Sequence, residues 1–221
     1  MNHPHTPETT GEPPDSQNRC AACLAPLDTA IYCFSCQTIQ QDPAADHFLF
    51  FGLPRGYEID RGRLDAIYEQ LSLALHPDFF ATADPSDKKM TDHLAARLND
   101  GYRVLSSDPA RAAYLVRLWA GGRDLDTKML PDGFLQEMFL LQEEVDEWDE
   151  SDREGLERLR GIVDAGLKEG RSQQAALFAS AGDPPEVSRL QAIQTNLNQE
   201  HYLVRLWDRL KGIEQLNRPA I

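Results

Sequence analysis

Four cysteines carry the most specific chemistry in this 221-residue chain: Cys20, Cys23, Cys33 and Cys36. They form two C-x-x-C pairs with nine residues between them. In such a turn both thiolates can face one tetrahedral ion, and two turns complete a four-sulfur shell. The interval is shorter than the roughly 15–20 residues of many such sites, but Pro26 and Asp28 mark a turn that brings the pairs together. Disulfides, a redox pair and an iron–sulfur cluster are the competing chemistries. Disulfides call for an oxidising compartment, of which the sequence carries no sign. A structural zinc knuckle holding one Zn2+ is the favoured reading. The segment has too few apolar residues for a core, so the metal would supply its folding energy. Four thiolates leave no open position for catalysis.

His76, Pro77 and Asp78 form the second candidate. Pro77 fixes a bend and exposes its neighbours, and the Asp78 carboxylate suits bidentate pairing with an arginine. A histidine base oriented by an aspartate is the catalytic alternative. No nucleophile or supporting cluster accompanies the pair, so the chain is expected not to be an enzyme and its catalytic residues are none. Composition narrows the partners. A formal net charge of −14 and a pI near 4.8 argue against binding to phosphate backbones, which needs clustered lysine and arginine. Hydrophobic content of 41% and mean hydropathy of −0.49 fit a globular chain, and no apolar run of ~18 residues is present to span a membrane. The first residues lack an apolar signal core and carry Glu8, Glu12 and Asp15 against Arg19, which favours a bacterial-type cytoplasm over a mitochondrial matrix.

The elements that must position these groups are helical, and an all-α body is expected. Residues 1–19 contain Pro4, Pro7, Pro13 and Pro14 and read as a tail, followed by the cysteine module over 20–45. A first helical block covers 46–122. It begins with a short apolar helix at Phe48 and Phe51. A helix capped by Asp60 then places Leu64, Ile67, Leu71 and Leu75 on one stripe and stops near His76. Phe79 to Asp87 reads as a loop. A second long helix carries Leu94, Leu98, Tyr102 and Leu105, and Asp108 is expected to cap a third that starts at Pro109 and ends at Gly121-Gly122. His76-Pro77-Asp78 thus sits between the arms of a helical hairpin. A linker over 123–132 leads to a block over 133–221, with helices at 133–150, 153–180 and 186–217. Short breaks between them point to a three-helix bundle.

One of these helices carries more apolar surface than a core needs. Phe134, Met138, Leu141, Val145 and Trp148 share a stripe that packs a bundle. Leu135, Phe139 and Leu140 fall on another face, among Gln136, Glu143, Asp146 and Glu147, an arrangement that suits a partner-binding patch. On the last helix, Tyr202 lies off the stripe of Leu197, Val204 and Trp207. Leu130 to Glu154 holds ten acidic side chains against Arg153 alone, which points to a basic protein partner.

The strings FFGLP, LALHPDFF, LNDGYRVL, DPARAAYL and FLQEMFLLQEEVDEW resemble the HscB family of J-domain co-chaperones dedicated to iron–sulfur cluster assembly, over roughly residues 46–217. The cysteine module resembles an amino-terminal zinc module found in some members. The resemblance implies that 46–122 is a J-domain, which docks on a DnaK- or HscA-type ATPase chaperone through His76, Pro77 and Asp78 and stimulates ATP hydrolysis there. It also implies that the bundle binds an IscU-type scaffold, through Leu135, Phe139, Glu143, Glu147 and Tyr202. Alternatives are a general J-domain co-chaperone for another client and a zinc-dependent interaction module. Self-association is a further use the cysteine module allows. The chain departs from many J-domains in having Leu75 before the histidine and Phe79 after the aspartate, and Leu64 to Leu75 holds Asp65 and Glu69 with no basic residue. Arg61 and Arg63 precede that stretch, and Arg97, Arg103 and Arg111 are the cations available to compensate.

Overall fold

The computed structural model describes residues 19–40, 46–76, 78, 84–182 and 185–216. The tail up to residue 18, the link at Asp42 and Pro43, Pro77, residues 79–83 of the expected loop, and Asp183-Pro184 lie outside the described residues. The chain groups into two compact units. One holds the residues up to Arg55 and Ile59–Arg103, and the other holds Gly56–Glu58 and Val104 onward.

In the first unit a two-stranded antiparallel ribbon, β1 (Tyr32–Cys33) and β2 (Thr38–Ile39), pairs Tyr32 with Ile39 and Cys33 with Thr38. Asp46 then caps α1 (His47–Phe50), its carboxylate accepting from the Leu49 amide at 3.0 Å. The exit from α1 explains the glycine of FFGLP. Gly52 has φ +60, and a Cβ there would stand 1.8 Å from the carbonyl oxygen of Asp28, so the turn after α1 lies directly against the cysteine module. Asp60 caps α2 (Arg61–Ala74) as expected, accepting from the Arg63 amide at 2.9 Å. Leu64, Ile67, Leu71 and Leu75 are buried. Tyr68 and Tyr102 stack at 4.0 Å, and their hydroxyls donate to Asn99 and Asp65 across to α3 (Pro85–Leu105). These contacts run in opposite directions along the two helices, so α2 and α3 form the antiparallel hairpin. Gly101 of α3 leaves room for Phe51 and His47; a Cβ there would meet the Phe51 ring at 2.9 Å.

Two helix starts differ from expectation. The loop after Asp78 ends earlier than Asp87, because Pro85 opens α3, a position where its missing amide costs nothing. The cap of α4 (Asp108–Ala120) is Ser107, one residue before the expected Asp108. Asp108 is the first helical residue, and its carboxylate accepts from Arg111 at 2.6 Å.

The second unit is built on α4, α5 (Phe134–Asp146), α6 (Arg153–Ala179) and α7 (Val187–Leu216). Asp152 caps α6 through the Gly155 amide, and the Trp148 indole donates to the Asp152 carbonyl, closing the turn between α5 and α6. Phe134, Met138, Leu141 and Val145 are buried against Leu156, Leu159, Val163 and Leu167 of α6 and Leu203, Leu206 and Leu210 of α7. The expected stripe on α7 needs correction: Leu197, Val204 and Trp207 are half-buried, while Leu190, Ile193, Leu203, Leu206 and Leu210 are buried. The reason is that α7 packs against α4 as well as α5 and α6, so apolar residues face more than one side. For the same reason α4, kept with the hairpin in the sequence reading of 46–122, groups with the bundle.

Arg111 fastens this unit. It is only 5% exposed and donates to the carbonyls of Tyr57 and Leu105, each at 2.6 Å. Its guanidinium lies over the Tyr57 ring, which stacks on Phe178 of α6 at 4.5 Å. Arg111 is therefore spent internally and is not a docking cation. Arg103 pairs with Asp100, and Arg97 covers the Phe50 ring.

Candidate functional site

The four cysteines converge. Their sulfurs all lie within 4.8 Å of one another, with Cys20 and Cys36 3.5 Å apart and Cys23 and Cys33 3.6 Å apart. A tetrahedral thiolate shell at 2.3 Å from its ion has sulfurs about 3.8 Å apart, so the residues fit such an ion. All four are free thiols, which sets aside the disulfide reading for this structure. The ribbon supplies the geometry: Cys33 lies on β1, Cys36 in the turn, and Thr38 on β2. The Thr38 hydroxyl sits 3.0 Å from the Cys36 sulfur, and the Ala22 amide and the Gln40 side chain donate to Cys20, each at 3.4 Å. Gln40 also accepts from the Ala21 amide at 3.1 Å, so it clasps the first knuckle to the second strand. Sequence reading missed Thr38 and Gln40, because ligand spacing says nothing about the residues that donate to sulfur.

These donors shape the charge of the cluster. Burial raises the Cys20 thiol, but the Cys23 and Ala22 amides, with Thr38 and Cys36, outweigh it and bring it down to about 5. Cys23 moves the other way. A backbone hydrogen bond at Ala25 lowers it, but Cys36, burial, Cys33 and Cys20 together push it up to about 12. A divalent cation among these sulfurs would favour the thiolate form of all four.

The second candidate lies at the end of α2. His76 and Asp78 are both exposed, and the Asp78 amide donates to His76 Nδ1 at 3.3 Å. The Asp78 carboxylate is 3.6 Å from the same nitrogen. One turn earlier, Leu73 is 69% exposed. It lies about 200° from Leu71 on the helical wheel, off the buried stripe, and that offset is the signal by which the sequence reading could have found it. Arg61, at the start of α2, pairs with Asp65 at 3.2 Å.

On α5 the two faces separate. The stripe from Phe134 to Val145 is buried, whereas Leu135 is 55% and Phe139 58% exposed, and Leu140 is exposed beside them. Tyr202 is half-buried, its ring edge-on to Phe134 at 5.9 Å. Arg209 of α7 pairs with Asp146 of α5, so the helices run side by side from Tyr202 to Arg209. Leu135 and Phe139 lie about 100° and 140° from Phe134 on the helical wheel, off the buried stripe, with Glu143 and Glu147 further round α5. Glu143 and Glu147 are exposed, while Glu144 is paired with Arg158. The acidity of this segment is thus partly neutralised from within the bundle.

No family model matches the chain. It is 34% identical over 138 residues to the co-chaperone protein HscB homolog of Cupriavidus taiwanensis, covering 62% of this chain and 75% of that one. It is 28% identical over 151 residues to the iron-sulfur cluster co-chaperone protein HscB homolog of Arabidopsis thaliana, covering 68% and 59%. In fold it resembles the crystal structure of human co-chaperone protein HscB, with a TM-score of 0.69 over 89% of this chain and 98% of that one, at 23% identity. A helical hairpin ending in an exposed histidine and aspartate, a bundle with a spare apolar face, and this extent of sequence identity lead to one assignment: the chain belongs to the HscB co-chaperone family.

Proposed function

We propose that the chain is a cytoplasmic iron–sulfur co-chaperone that delivers an IscU-type scaffold to a DnaK- or HscA-type chaperone and stimulates its ATPase. ATP is hydrolysed in the partner, so the chain is an activator and not an enzyme. The carrying observation is the division of α5, whose core stripe is buried while Leu135 and Phe139 stay open to solvent. Those two residues supply most of the scaffold affinity, with Tyr202 beside them, and Glu143 and Glu147 steer a basic scaffold surface. His76, Pro77 and Asp78 engage the ATPase chaperone. Cys20, Cys23, Cys33 and Cys36 hold one structural zinc, a reading their sulfur spacing supports. Binding scaffold and chaperone at once raises the effective concentration of one at the other. The names of relatives support this reading, above all the Arabidopsis protein described as an iron-sulfur cluster co-chaperone.

The test is the ATPase rate of such a chaperone with the chain, the scaffold, or both. Synergy is expected from the wild type. Leu135→Ala with Phe139→Ala should abolish the synergy and keep the basal stimulation, whereas His76→Gln should lose both. Unchanged scaffold affinity in the double variant would remove the site assignment.

A further inference from the structure

Among the described residues, Gly52, Gly121, Gly122, Gly133 and Gly182 have positive φ, the left-handed backbone that glycine tolerates. Only Leu24 and Gln37 adopt it with a side chain, at φ +61 and +59. Both stand in the same place, immediately after the second cysteine of a C-x-x-C pair. The two knuckles are also closed alike. The Leu24 amide donates to the Cys20 carbonyl at 2.9 Å, and the Gln37 amide donates to the Cys33 carbonyl at 2.8 Å. Each turn that brings two sulfurs to one side therefore ends on a left-handed residue, and in neither turn is that residue glycine.

A Cβ in this conformation crowds the following carbonyl, which disfavours it by roughly five- to thirtyfold in population. Packing does not offset the strain, because Leu24 is 69% exposed and Gln37 is exposed as well. It is the backbone of Leu24 that is pinned, its carbonyl accepting from Arg19 Nη1 at 3.0 Å. Strain of this kind persists only where the surroundings over-determine the conformation. In a module that buries so little, the convergence of four sulfurs is the strongest such constraint. Folding and metal binding form one equilibrium in a site of this type, so strain that unfolding relieves is subtracted from the affinity for the ion.

We infer that Leu24 and Gln37 hold down the affinity of the four-cysteine site and make its ion exchangeable, and that ion loss is felt at the turn after α1. The inference rests on the reading of these cysteines as a zinc site. Its route to the turn is direct. Asp28 lies between the two knuckles, and its carbonyl oxygen stands 1.8 Å from where a Cβ on Gly52 would be. Gly52 follows Phe51, whose ring lies 2.9 Å from where a Cβ on Gly101 of α3 would be. Opening of the knuckles thus removes the surface against which the entry to the hairpin is folded. Glycine after each pair would leave the four sulfurs unchanged and close the knuckles more firmly, whereas Leu24 and Gln37 keep them able to open.

The experiment takes the full chain, kept reduced, and measures Zn2+ affinity by competition with a chromophoric chelator and release by transfer to excess chelator. Leu24→Gly and Gln37→Gly should each tighten binding about fivefold, because glycine removes the strain but loses more chain freedom on folding. Release should slow in step, and the double variant should gain about twenty-fivefold. Leu24→Ala and Gln37→Ala keep the Cβ and should bind as the wild type does. Alanine variants that tighten as much as the glycine ones would assign the effect to the longer side chains and overturn the inference. So would equal affinity and release in the wild type and the glycine variants. A wild type that binds no zinc would overturn it together with the zinc reading, and the two failures are thereby distinguished. Amide NMR supplies the second readout. Zinc removal should shift the Gly52 amide and leave that of Val163 in α6 in place, and an unmoved Gly52 amide would overturn the link to the turn.

Discussion

Residues 19–40 bury little beyond Ile31 and Tyr32 beside their cysteines, and the ribbon within them pairs only two residues per strand. The bundle does the reverse, sharing one apolar core among three long helices in which Val163 and Leu210 are fully enclosed. The module is short and depends on a few directional bonds to sulfur, whereas the bundle depends on the summed burial of many side chains. A single removed ligand should therefore undo the first, and a single removed side chain should only weaken the second.

The largest expected effect comes from metal removal. Chelation, or Cys33→Ser, should unfold residues 19–40, since structural zinc contributes on the order of 10 kcal/mol to small four-ligand sites. Hydrogen exchange should show protection lost there and kept in α6 and α7; bundle amides that open together with the module would break the contrast. Next in size is Leu206→Ala in the bundle core, expected to cost about 2–5 kcal/mol in denaturant melts with metal content unchanged. Gly52→Ala comes third, at about 1–3 kcal/mol for the left-handed backbone alone, besides the contact with Asp28. It sharpens the comparison, because weaker metal retention against a chelator would measure how far the module relies on the turn after α1. The smallest is Asp146→Asn. Its pair with Arg209 is exposed on both sides, so at most about 1 kcal/mol is expected, shrinking as salt is added.

Features set by neighbours in sequence were the legible ones. Ligand spacing located the cysteines, and local side-chain capping placed Asp60 at its helix start. The alternation of fours and threes separated Phe134 and Met138 from Leu135 and Phe139, because α5 turns a single apolar stripe toward the core. The stripe on α7 misled, since that helix is covered from more than one side. Asp84-Pro85 and Asp108-Pro109 look alike in sequence, yet only the first places proline at the opening position; at the second, Asp108 is itself the first helical residue and its carboxylate accepts from Arg111. The role of Arg111 depends on carbonyls 6 and 54 residues away, and such partners leave no local trace. Thr38, Gln40 and Gly52 were silent for the same reason.

The short strip Gly56–Glu58 has a consequence for how this protein can be divided. The chain enters the second unit there, leaves at Ile59, and returns for good at Val104. No single cut separates the two units into continuous pieces. A fragment ending at Arg103 carries Tyr57 without the arginine that grips its carbonyl, and one beginning at Val104 leaves Arg111 reaching for a residue it no longer has. Shuffling of these parts between proteins by simple fusion is thereby discouraged. The hairpin and the bundle are instead made to travel, and to be inherited, as one length of chain.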